Sequence, residues 1–177
     1  MEILTYQLDQ VPEALAKAST ALERVTWPES FVTEDGSPTI FPPKPRGSMA
    51  FFAIDAELVG YAEIFPRTIF TSEGALTVWG LGSVCVTANR QGAGIGRKVV
   101  EACFKAVDKM ENSISLFQTG VPGFYHKLNC REVNNRITNS QNKENPEKNP
   151  FWDDHIMIYP ANYPWPEGDI DLNGKGY

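Results

Sequence analysis

A chain of 177 residues, 42% hydrophobic and 21% charged, is long enough to bury a core without disulfide or metal staples, and one globular domain spanning residues 1–177 is expected. Sixteen Lys and Arg against 22 Asp and Glu leave a net charge of −6, which argues against nucleic acid as the main partner and mildly favours cationic small molecules. No apolar run approaches the roughly 18 residues of a membrane span, and Met1-Glu2-Ile3-Leu4 lacks the basic and apolar blocks of a signal peptide, so no membrane partner and a cytoplasmic location are expected.

Residues 2–8 read as a strand, and Val11, Leu15, Ala18, Leu22 and Val25 recur at helical spacing, with Pro12 in the first turn. Residues 27–48 dissolve into a proline-rich loop containing Phe41-Pro42-Pro43-Lys44-Pro45, a lid or a connector. Two apolar runs, 49–54 and 58–65, joined by Asp55-Ala56-Glu57, predict a hairpin. A third strand, 76–86, is interrupted by Gly80 and Gly82, which points to a bulge or a close backbone approach. Ile95, Val99, Cys103, Ala106, Val107 and Met110 then form the apolar stripe of an amphipathic helix.

Ile114 and Leu116 alternate with serines in a short strand, and residues 121–128 predict another helix, with Asn129 as its left-handed cap. Residues 139–150 are almost wholly polar and predict a solvated loop. A strand follows at 155–159, and the tail from 160 to 177 is expected to be irregular and to wrap the surface. The fold class expected from this order is α/β, with a mixed, mostly antiparallel central sheet of about six to seven strands flanked by helices. Cys85, Cys103 and Cys130 are odd in number and lack metal-ligand spacing, so buried free thiols and no metal are expected.

The most informative segment is Gln91-Gly92-Ala93-Gly94-Ile95-Gly96-Arg97, between the strand ending Val84-Cys85-Val86 and the amphipathic helix. Three glycines in five residues let backbone N–H groups approach an anion at the positive end of a helix. A Walker A loop needs G-x-x-x-x-G-K-[ST], and the residue five after Gly92 is Arg97. The dinucleotide motif G-x-G-x-x-G needs glycine three residues after Gly94 or Gly96, where Arg97 and Val99 stand.

What remains, V-x-x-x-x-Q-x-x-G-x-G from Val86, resembles the coenzyme A loop of the GCN5-related N-acetyltransferases. A second segment, Gly123-Phe124-Tyr125-His126-Lys127-Leu128-Asn129-Cys130, is similar to the same family's F-Y-x-K-L-G-F segment, with Asn129-Cys130 in place of Gly-Phe. The resemblance covers residues 2–160 or so and implies an acyl-CoA N-acyltransferase fold using acetyl-CoA, with an amine of a small molecule or a protein as acceptor. It assigns Val84, Cys85 and Val86 to the pantetheine arm and Gln91, Gly92, Ala93, Gly94, Ile95, Gly96 and Arg97 to the pyrophosphate, with Arg90 and Lys98 as further candidate charges. Gln118, where the family often carries Asn, is expected to reach coenzyme A. Tyr125 resembles the family's general acid, and a phenol of pKa about 10 suits a leaving thiolate of pKa about 8.5.

The base is chosen from the residues themselves. Glu63, a carboxylate in the run Tyr61-Ala62-Glu63-Ile64-Phe65, is the first choice, ahead of His126, His155 and Asp154. A covalent route through Cys85 is disfavoured because no histidine is placed near it by sequence. The acceptor site is expected to draw on loop 37–46, the hairpin, Trp152, Asp153, Asp154 and Trp165. A non-catalytic coenzyme A sensor and an enzyme using a longer acyl-CoA stay open, as does a homodimer.

Overall fold

Ala50, Phe51, Phe52 and Ala53 are buried without interruption, as expected of a strand covered on both faces. In the computed structural model, which describes residues 1–177, the elements are β1 (Glu2–Gln7), α1 (Glu13–Thr26), β2 (Met49–Asp55), β3 (Glu57–Thr71), β4 (Gly74–Val86), α2 (Ile95–Val107), β5 (Ser115–Thr119), α3 (Pro122–His126), β6 (Arg131–Glu132), β7 (Ile137–Thr138), β8 (His155–Tyr159) and β9 (Ile170–Asp171). They form two compact units: residues 1–65 with 82–103, and residues 66–81 with 104–177.

In the first unit the strand order is β1-β2-β3-β4. β1 and β2 pair antiparallel from Glu2↔Ile54 to Gln7↔Met49, and β2 pairs antiparallel with β3 from Met49↔Ile64, shifting register between Ala53 and Ile54. Ala56 alone separates β2 from β3 and takes a left-handed φ of 64°. Leu15 and Leu22 of α1 pack on a core of Ala50, Phe52, Tyr61 and Cys85. The predicted helical stripe overreaches at both ends: Val11 and Pro12 precede α1, and Val25 is 79% exposed. β4 is this unit's edge strand, so its outer backbone groups at residues 82–86 face no strand of the unit.

In the second unit the order is β3-β4-β5-β8-β6. β4 and β5 pair parallel at Trp79↔Ser115 and Gly80↔Leu116, whereas β8 is antiparallel to both β5 and β6. β9 lies antiparallel to β3 at Phe70↔Asp171 and parallel to β7 at Ile137↔Ile170. The sheet is mixed and mostly antiparallel, as expected. Three strands of two residues, β6, β7 and β9, raise the total to nine; such short pairings leave no periodic trace in a sequence.

α3 is shorter than predicted, five residues opened by Pro122. Asn129 closes it with a φ of 61°, and the N–H groups of Leu128 and Cys130 both donate to the Tyr125 carbonyl. The tail corrects its expectation. Rather than wrapping the surface, it supplies β9 and places Ile170 and Leu172, both fully buried, among Ile69, Val78, Ile114 and Ile158. Leu172→Ala should therefore destabilise the protein by about 2–5 kcal/mol in chemical denaturation, and a cost below about 1 kcal/mol would place the tail outside the core.

Candidate functional site

After β4, the Thr87 N–H donates to the Val59 carbonyl at 3.0 Å, and a turn at Ala88–Arg90 carries the chain into the glycine segment. Arg90 pairs with Asp55 of the β2–β3 turn, so its charge anchors the loop rather than standing free for an anion. Burial is slight there, and the Arg90 guanidinium holds the Asp55 carboxyl below the usual carboxylate range. Gln91 Nε2 donates to the Val86 carbonyl at 3.3 Å, closing the loop on the strand it leaves. This gives the glutamine of the motif a conformational role.

Gly92 and Gly94 have φ of 79° and 76°, and a Cβ at either would meet nothing within 4 Å. The backbone conformation, not a shortage of space, selects glycine. The Gly94 carbonyl accepts the Lys98 N–H at 3.2 Å and so opens α2, which leaves the N–H groups of Ile95, Gly96 and Arg97 without carbonyls inside the helix. Residues 91–94 are exposed, whereas Ile95 is buried. Gly60 permits this seating, since a Cβ there would lie 2.9 Å from Ile95 Cγ2. The loop thus presents backbone donors and the positive end of a 13-residue helix at one exposed turn, a fit for a phosphate group. Arg97 itself turns aside, its Nε donating to Glu101 at 2.8 Å.

The β4 irregularity falls one residue beyond the predicted glycines. Ser83, not Gly80 or Gly82, takes the left-handed φ, at 56°. Its hydroxyl bonds the Glu23 carboxylate of α1. Burial pushes the Glu23 carboxyl up, the Ser83 bond and the Lys44 charge pull it down, and the Glu63 charge pushes it up.

Glu63 is 6% exposed in the middle of β3. The Tyr61 hydroxyl donates to Glu63 Oε1 at 2.5 Å, and Lys44 Nζ of the proline-rich loop stands 2.8 Å from Oε2. Burial and the neighbouring carboxylate push the Tyr61 phenol far up, so it stays a donor. Lys44 also lies 4.9 Å from the centre of the Phe65 ring. Tyr61 is two residues from Glu63, a same-face spacing that sequence could have flagged. Lys44 and Glu23 come from distant segments, and no local signal pairs them with Glu63. Cys85 belongs to the same unit; burial above all, and then the Glu23 charge, push its thiol up to about 12. A neutral thiol is a poor acyl carrier.

In the second unit Tyr125 is 5% exposed on α3, its ring 4.7 Å from Phe117 and 4.8 Å from Phe124. Gln118, expected to reach coenzyme A, is engaged within this unit. Its Oε1 accepts the backbone N–H groups of Trp152 at 2.7 Å and Asp153 at 2.8 Å, while Nε2 donates to the Tyr177 carbonyl at 2.7 Å. His126 and His155 both turn to Glu132, at 3.5 and 2.8 Å. Trp165 packs on the core and donates to Asn135 Oδ1 at 2.7 Å, whereas Trp152 is 70% exposed, as Asp154 is exposed.

Comparison with known proteins adds three findings. Residues 13–129 match the family model described as "Acetyltransferase (GNAT) family". No curated protein matches the chain. Among solved structures, ElaA of Escherichia coli is 16% identical with a TM-score of 0.60, over 89% of this chain and 97% of that one. An aminoglycoside 6'-N-acetyltransferase complexed with coenzyme A is 21% identical with a TM-score of 0.56, over 94% of this chain and 100% of that one. A GNAT-family acetyltransferase from Staphylococcus aureus Mu50 is 12% identical with a TM-score of 0.56, over 89% and 98%. At such identities the likeness is one of fold.

Proposed function

The chain belongs to the acetyltransferase (GNAT) family, and from that premise we propose that it moves an acetyl group from acetyl-CoA to a primary amine by direct attack. The family and fold are those of acyl-CoA N-acyltransferases; the acetyl donor and the amine are our reading. The observation that carries it is the loop itself, with left-handed Gly92 and Gly94 delivering backbone donors at the start of α2. A fixed anion held by backbone groups costs no side-chain ordering.

Bound acetyl-CoA supplies an activated acyl carbon and a thiolate leaving group. Val84, Cys85 and Val86 lie on the unit's open strand edge and offer backbone groups to an extended arm, the N–H group of Cys85 or Val86 polarising the thioester carbonyl. Glu63 takes the proton of the acceptor ammonium, directly or through water, leaving the nitrogen lone pair to form the N–C bond. As the C–S bond breaks, Tyr125 gives its phenolic proton to the sulfur, and the second proton that the nitrogen sheds as the amide forms restores the phenol by way of solvent. Aminoglycosides are acceptors named for one structural relative, and the acidic balance of this chain favours cationic amines of that general kind.

The test is thiol release from acetyl-, propionyl- and succinyl-CoA across a panel of primary amines. Turnover fastest with acetyl-CoA and dependent on an added amine supports the reading. Preference for a longer acyl group would replace the donor, and no turnover with any pair, despite coenzyme A binding, would leave a sensor.

A further inference from the structure

Lys44 is the one cation at a pair of carboxylates. Glu63 Oε1 is satisfied by the Tyr61 hydroxyl, but Oε2 is buried without an aligned hydrogen-bond donor, although Lys44 Nζ stands 2.8 Å away. A second carboxyl, Glu23 of α1, feels both the Glu63 and the Lys44 charge. A buried carboxylate with an unfilled lone pair is costly unless a better partner arrives.

The two partners differ in how firmly they are held. The Glu63 side chain is 8% exposed and the Lys44 side chain 36%, so the carboxylate is buried while the ammonium reaches solvent. Lys44 comes from a loop tied on either side of it: Phe41 packs on Phe31 with ring centres 5.1 Å apart, and the Ser48 hydroxyl donates to the Pro45 carbonyl at 2.6 Å. The backbone can therefore stay in place while the flexible lysine stem swings out to solvent. The position it leaves has the Glu63 carboxylate and the Phe65 ring, with the Glu23 carboxyl within electrostatic reach, a setting that suits an ammonium.

We propose that Glu23, Glu63 and the Phe65 ring form a primary-ammonium subsite, that Lys44 Nζ fills it as an internal stand-in for the acceptor, and that a cationic acceptor enters by displacing Lys44. The identification with the acceptor rests on the acetyltransferase reading; the subsite itself does not. The acceptor class that follows is an alkylammonium without its own carboxylate, because a second anion would face Glu23 and Glu63 unpaired.

The test uses the whole chain and 1,4-diaminobutane as probe, with thermal stability read against diamine concentration. Lys44→Met removes the competing ammonium and keeps the apolar stem, so the half-saturating diamine concentration should fall on the order of tenfold. Lys44→Arg keeps a cation and should retain the weak response of the unaltered protein. Adding Glu23→Gln to Lys44→Met should raise the concentration again, and butane-1,4-diol should give no shift. Equal curves for the unaltered protein and Lys44→Met, equal curves for the Arg and Met variants, or indifference to Glu23→Gln would each overturn the proposal. Coenzyme A is titrated in the same samples. Its failure to stabilise any of them would remove the acetyltransferase reading and leave the diamine result standing, whereas normal coenzyme A shifts with unchanged diamine curves would remove the subsite alone.

Discussion

Tyr125→Phe should lower turnover by about 10²–10⁴-fold while coenzyme A affinity stays unchanged, the mark of a lost proton donor. The ring contacts with Phe117 and Phe124 hold the side chain, and phenylalanine keeps both. The backbone around it is equally firm, since Asn129 in its left-handed cap directs two N–H groups onto the Tyr125 carbonyl. Only the hydroxyl is removed, so the variant separates chemistry from packing. Turnover constants from thiol release, set beside dissociation constants from calorimetry, decide it. Unchanged turnover removes Tyr125 from the reaction, and a fall in affinity with turnover retained makes it a binding residue.

Gly94→Glu should abolish the stabilisation by coenzyme A at concentrations that saturate the unaltered protein. Two effects add. A side chain at φ 76° strains the backbone by about 1–2 kcal/mol, and the new carboxylate sits before the N–H groups that begin α2. Because a Cβ at this position meets nothing within 4 Å, the fold should survive. Gly94→Ala carries the strain without the charge and should retain part of the shift. An undiminished shift in the glutamate variant would show that the anion lies elsewhere.

What the sequence disclosed follows the range over which its signals act. The unbroken apolar run at 49–54, the 91–97 turn and the Asn129 cap are local: each is written in a handful of neighbouring residues, and each stands where expected. Glu63 was legible as an acid among aromatics, yet its partners were not. Lys44 lies 19 positions before it and Glu23 40 positions before it, so their meeting depends on how the proline-rich loop and α1 come onto β3, a matter of tertiary packing. The left-handed residue of β4 stands one position past Gly82 because glycine marks permission for such a turn, whereas the Glu23 bond to Ser83 rewards its use there. The tail was misread for a compositional reason: its prolines and glycines outnumber Ile170 and Leu172, but those two side chains do the packing. The partners of Gln118 were equally illegible, since an amide is as well satisfied by a distant backbone as by a ligand.

All three cysteines are buried and free, and burial pushes Cys85 and Cys130 up to about 12 and Cys103 well above the ordinary thiol value. A disulfide reagent such as Ellman's reacts with thiolate, so the folded protein should contribute almost no colour of its own at neutral pH. Released coenzyme A can thus be followed continuously, at high enzyme concentration, against a silent background. The same reticence ends on denaturation, when three equivalents per chain should appear, and the count doubles as an internal gauge of how much of a variant preparation is folded.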